Sequence, residues 1–124
     1  MHAVLTAYDE ILGISVMNMK GHILAANSKE SFRETYRITE DGANYGGDLA
    51  VSALDVVNET RSVFGRVKAI ITIHEKSKLM LLPIASFQLL VGLVLERSAN
   101  AEDHKIANEI EVLVADILDQ SNNR

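Results

Sequence analysis

The chain contains no cysteine, which excludes a disulfide framework, a thiolate nucleophile and any cysteine-based zinc site. Positive charge is also in short supply. Twelve Lys and Arg stand against 17 Asp and Glu, a formal net charge of -5, and no basic stripe runs along the chain. Nucleic-acid binding needs a Lys/Arg surplus on one face and is not expected. Met1 to Glu10 has no Lys or Arg and carries Asp9 and Glu10, the wrong pattern for a signal peptide, so a cytoplasmic protein is expected. Asn58-Glu59-Thr60 fits the glycosylation sequon, a chance match where no export signal accompanies it. The longest apolar run, Leu79 to Leu95, is interrupted by Pro83, Ser86, Gln88 and Gly92. A membrane-spanning helix needs about 20 apolar residues. The run therefore reads as two buried strands joined by a turn near Ala85-Ser86-Phe87, with no membrane insertion.

What is present is an ordinary globular composition, 48% hydrophobic and 23% charged over 124 residues, which predicts one domain over residues 1–124. Leu5, Tyr8, Ile11 and Leu12 share a side if Ala3 to Leu12 is an opening helix, with Gly13 as its stop. Ile14 to Met17 and Ile23 to Ala26 form a hairpin around Lys20-Gly21, and its small apolar side chains suggest a strand covered on both sides. Ser28 to Gly47 is a long polar loop with a helical turn near Ser31 to Tyr36. A second helix follows from Leu49 to Phe64, capped by Asp48 and ended by Gly65. Leu49, Ala50, Ala53, Leu54, Val56, Val57, Val63 and Phe64 spread over an arc of roughly 180°, wider than the ~100° a helix needs to lie on one sheet. A further surface is expected to cover the remainder.

Three strands are expected next, Val67 to His74, Lys78 to Ile84 and Gln88 to Leu95. Their centres "AIITI", "LMLL" and "LLVGLVL" are continuous apolar runs, the pattern of strands buried on both faces. In the last helix Asn100 is the N-cap, and Glu102 and Asp103 occupy the first turn. Ile106, Ile110, Leu113, Val114, Ile117 and Leu118 form its apolar stripe, and Gln120 to Arg124 a polar tail. The fold class expected is therefore α/β, an α+β sandwich. A central, mainly antiparallel five-stranded sheet carries helices on both faces, in the order αββαβββα.

Catalytic patterns are missing. His2, His22, His74 and His104 fall on separate elements without metal-ligand spacing, and "HEK" at 74–76 reads as the exposed end of a strand. Gly42 to Asp48, "GANYGGD", precedes a helix as a phosphate loop would, but Asp48 puts a carboxylate where phosphate would sit. There is no G-x-S-x-G elbow. Glu59, Glu109 and Glu111 read as solvated helix faces, and Met17, Met19 and Met80 as core filling on strands. No catalytic residue, cofactor or metal site is assigned, and the chain is not expected to be an enzyme.

"GISVMNMKGHILAAN" and "KLMLLPIASFQLLVGLVLERSANAE" do resemble the opening hairpin and the fourth and fifth strands of the roadblock/dynein light chain family, within the profilin-like and longin-related group. The resemblance covers nearly the whole chain. Its short opening helix and long polar loop depart from particular subfamilies and look more like a prokaryotic branch, an archaeal one among the options. The resemblance implies a non-catalytic homodimer that scaffolds, or binds and regulates, a small Ras-like GTPase. In that family, third strands pair edge to edge and second helices lie side by side. The implied interface residues are Val51, Leu54, Asn58 and Arg61 on the helix, with Ile71 and Ile73 on the strand. A rival expectation from a different class is a small-molecule sensor domain of the PAS or GAF kind.

Overall fold

A computed structural model of the chain describes residues 2–30, 51–56, 58–60, 62–97 and 103–122. Its elements are α1 (His2–Ala7), β1 (Ile11–Asn18), β2 (Ile23–Ser28), then α2, comprising the helical residues 51–56, 58–60 and 62–64. They continue with β3 (Ile70–Ile73), β4 (Ser77–Ile84), a 3-10 turn at Ala85–Phe87, β5 (Leu89–Glu96) and α3 (Asp103–Asn122). The expected Asp48 and Asn100 caps, the Gly42 to Asp48 loop and the helical turn at 31–36 lie outside the described residues.

The strands form one sheet in the order β2-β1-β5-β4-β3, with every neighbouring pair antiparallel. Side chains alternate between its two faces. On the first face Ile14, Met80, Leu82, Val91, Leu93 and Leu95 pack with Val4 and Leu5 of α1 and Ile106, Ala107, Ile110 and Val114 of α3. On the second face Met17, Leu81 and Leu90 pack with Ala53 and Leu54 of α2, joined by Met19 and Ile70. The central sheet with helices on both faces is thus the architecture the sequence predicts. The long run from Leu79 to Leu95 is two strands and a turn, with β4 and β5 largely buried on both faces. Among the described residues no helix is long and apolar enough to cross a membrane.

Several local expectations are corrected. The opening helix stops at Ala7, and Leu12 and Gly13 belong to β1. Gly13 is paired on both sides, with Ser28 and Val94, so long-range pairing overrides the helical spacing that Leu12 had suggested. Met19 lies in the turn after β1 rather than on a strand. The turn itself is as expected: Gly21 adopts φ 82°, and Asn18 Oδ1 accepts the amides of Lys20 at 2.9 Å and His22 at 3.0 Å. The polar tail begins later than expected, since α3 runs to Asn122.

Two strands differ in coverage. β2 is an edge strand exposed at every position but Ser28, not a strand covered on both sides. β3 is the opposite edge, and its four residues alternate between half-buried and exposed, so "AIITI" is not buried on both faces. β3 also starts at Ile70, three residues later than predicted, and Pro83 explains why. His74 donates to Ser77 O at 2.8 Å, which makes 74/77 a hydrogen-bonded pair of the β3–β4 ladder. Such pairs alternate, so they recur at Thr72/Leu79 and Ile70/Leu81. The next in phase would set Pro83 opposite residue 68, and Pro83 has no N–H to give. The ladder ends one step earlier, and Pro83 is tolerated inside a central strand because its nitrogen looks toward a neighbour that has already left.

Candidate functional site

The same alternation decides what β3 offers outward. Thr72 and Ile70 turn their backbone groups toward β4, so the N–H and C=O of Ile71 and Ile73 point away from the sheet. The outer line of β3 is short, four residues, but carries no charge, no proline and no bulge, three of the devices that blunt a free edge. β2 is built differently. Its register shifts between Val16 and Met17, leaving Leu24 as an extra residue between Ile23 and Ala25. A bulge of this kind twists an edge and breaks its regular line of donors and acceptors. Of the two edges, β3 is the one without a bulge.

Exposed apolar side chains gather on the same part of the chain. Nine large hydrophobic side chains are exposed among the described residues, and six fall between 51 and 73: Val51, Val56, Val63, Phe64, Ile71 and Ile73. Val63 and Phe64 are 74% and 83% exposed at the end of α2, just before Gly65 with φ 84° releases the helix. Among the described members of the wide apolar arc, Ala53 is buried, Leu54 half-buried, and Val56, Val63 and Phe64 exposed.

The interface residues expected from the sequence are not all on one side. Ile71 and Ile73 stand opposite Met80 and Lys78, on the face that carries α1 and α3, and are 37% and 63% exposed. Val51 and Asn58 are exposed on α2, which covers the other face, while Leu54 is half-buried against the second cluster. Arg61 lies outside the described residues. The strand side chains on the α2 face are Ile70 and Thr72, and Thr72 Oγ1 lies 2.9 Å from His74 Nε2. Sequence reasoning placed Val56, Val63 and Phe64 in the apolar arc without marking them as exposed. The apolar pair directly before a helix-ending glycine was the available signal.

Polar contacts hold the edge in place from behind. Lys78 is 7% exposed and its Nζ donates to Asp103 Oδ1 at 3.1 Å, fastening β4 to the first turn of α3. Arg66, in the segment leading into β3, pairs with Glu111 of α3 at 3.1 Å. Tyr8 donates its hydroxyl to Glu109, and this bond, burial and the charges of Glu109 and Glu10 push its pKa up to about 12. Lys29 Nζ donates to the carbonyls of Tyr8 at 3.2 Å and Asp9 at 3.1 Å. α3 is thus tied to the turn after α1, to β4 and to the approach to β3. Among the described residues no three metal-ligating side chains cluster. Neither the paired charges nor the exposed histidine His74 makes a nucleophile–base arrangement.

No protein-family model and no curated protein matches the chain. Solved structures do match it. The crystal structure of a roadblock/LC7 domain from Streptomyces avermitilis superposes with a TM-score of 0.72 at 13% identity, over 97% of this chain and 92% of that one. A structure described as MglB with a tetrameric arrangement gives a TM-score of 0.67 at 14% identity, over 89% and 77% of the two chains. MglB from Myxococcus xanthus gives 0.62 at 7% identity, over 91% and 89%. At such identities the likeness is one of fold.

Proposed function

We propose, from the roadblock/LC7 fold of the chain, that it is a non-catalytic interaction module of the cytoplasm, forming one domain that pairs with a second copy of itself through β3. The observation that carries this reading is the contrast between the two sheet edges. β2 is bulged, whereas β3 presents the outward N–H and C=O of Ile71 and Ile73 in a regular, uncharged line. An edge of that kind left open invites pairing. The apolar side chains on α2 and β3 supply surface to bury with it, and Val51, Leu54, Asn58, Arg61, Ile71 and Ile73 are the proposed interface.

The paired module would bind or regulate a small Ras-like GTPase. That part rests on the roadblock resemblance of the sequence and on the shared fold. Absolute mass by light scattering over a dilution series tests the pairing, with twice the chain mass persisting at low micromolar concentration as the expected result. A chain mass throughout would end the proposal of self-pairing. Capture of Ras-like GTPases from native extract, loaded with GDP or a GTP analogue, tests the second part. Repeated capture without any GTPase would overturn it.

A further inference from the structure

We infer that the two copies meet in one register, with Thr72 opposite Thr72 of the second copy. The inference rests on self-pairing through β3 and adds what that pairing must look like.

Two copies that extend one sheet in antiparallel fashion are related by a twofold axis perpendicular to it. Each residue then meets a residue on the same face, so the axis passes through a residue and its own copy. The outward groups of β3 belong to Ile71 and Ile73. With the axis at Thr72, Ile71 lies opposite Ile73 of the second copy, and Ile73 opposite Ile71. Each such pair exchanges both hydrogen bonds, so four bonds satisfy every outward N–H and C=O of the two strands. With the axis at Ile71, only the two bonds between the copies of Ile71 fall within β3. Ile73 would then face residue 69, which precedes the strand. With the axis at Ile73, Ile71 would face residue 75, which follows the strand. An unmade bond at a buried backbone group is costly, so the Thr72 register prevails.

The side chains agree with this choice. On the α1/α3 face it sets the exposed Ile71 and Ile73 against each other in two apolar pairs. On the α2 face it sets Thr72 against Thr72, a pairing that cross-strand hydroxyls favour, and Ile70 against His74.

The absence of native cysteine provides the test, because any introduced thiol is the only one in the chain. Thr72 would occupy a non-hydrogen-bonded pair, where Cα atoms stand about 4.5 Å apart. That separation lies within the disulfide range of about 4.4–6.8 Å. Ile71 would sit diagonal to its own copy, at about 7–8 Å. Thr72→Cys and Ile71→Cys are oxidised separately under mild conditions, with mass measured on the reduced proteins. The expected result is a dimer in both, with rapid, nearly complete crosslinking of Thr72→Cys and little of Ile71→Cys. Ile73→Cys alone should crosslink as little as Ile71→Cys, whereas an equimolar mixture of the two should crosslink. A dimer in which Ile71→Cys crosslinks and Thr72→Cys does not would overturn the register while leaving self-pairing through β3 intact. A dimer that crosslinks at none of these positions would overturn pairing through β3 as well. A monomer at all concentrations would remove the reading on which the register rests.

Discussion

Ile73 and Lys78 stand opposite each other across the β3–β4 ladder with their burial inverted. The isoleucine is 63% exposed and the lysine 7%. Two things sustain this inversion. Lys78 is on a strand covered by α3, whose Asp103 receives its ammonium, whereas Ile73 sits on the edge with nothing on its outer side among the described residues. Burying a charge is expensive unless it is paired, and a large aliphatic side chain left in water is an opportunity for association.

The alternation of the ladder makes a paired prediction about proline. The Ile71 N–H points outward, so Ile71→Pro should leave the β3–β4 ladder whole and remove one donor needed by a second copy. Its thermal stability as a monomer should stay near that of the native chain while the dimer dissociates. Thr72→Pro removes a donor used by β4 and should cost about 1–3 kcal/mol in urea unfolding. Were Ile71→Pro to fold normally and keep the dimer mass, pairing through β3 would be wrong.

Asp103→Ala strands the Lys78 ammonium in a nearly dry position. Removing one partner of a fully buried pair costs about 3–5 kcal/mol, and the partial exposure of Asp103 reduces this to about 2. The double variant Lys78→Met, Asp103→Ala should recover most of the loss, as read from urea midpoints. A double variant as unstable as Asp103→Ala would mean that the pair does more than neutralise a buried charge.

Tyr8 predicts an alkaline limit. Its pKa, pushed up to about 12 by the bond to Glu109, exceeds the ordinary value of 10, so the folded chain holds the phenolic proton more tightly than the unfolded one. The stabilisation is complete below pH 10 and is lost as the pH rises from 10 to about 12. Melting temperatures of the native chain and Tyr8→Phe should differ at neutral pH and converge across that window. A constant difference through pH 12 would rule the bond out as the source.

Gly92 lies in the centre of the sheet between Ser15 and Leu81, and a Cβ placed there would come 2.8 Å from Ser15 Oγ. Gly92→Ala should therefore cost about 1 kcal/mol, at the low end of overpacking. Ser15→Ala removes the tightest contact and leaves Met17 Cε at 3.3 Å, so in that background the cost should fall but not vanish. A double-mutant cycle with no coupling would place the strain elsewhere.

Elements whose evidence is local could be read from the chain alone. The unbroken apolar run over β4 and β5, the helical stripe from Ile106 to Leu118, and Gly21 and Gly65 at a turn and a helix end are all readable from neighbouring residues, because periodicity and φ preference act over a few positions. The wide apolar arc of α2 was readable in the same way, and of its described members Val56, Val63 and Phe64 are exposed. The remainder depends on contacts between distant segments. Gly13 became a strand residue because Ser28 and Val94 pair with it. β3 became an edge because it paired with β4 alone, and it began at Ile70 because Pro83, in another strand, had no hydrogen to donate. Which backbone groups of Ile71 and Ile73 face outward is likewise set by the phase of a ladder whose other half lies several residues along the chain. Strand identity and exposure belong to pairs of segments, and a hydrogen-bond partner brought in from elsewhere leaves no mark on the composition of either.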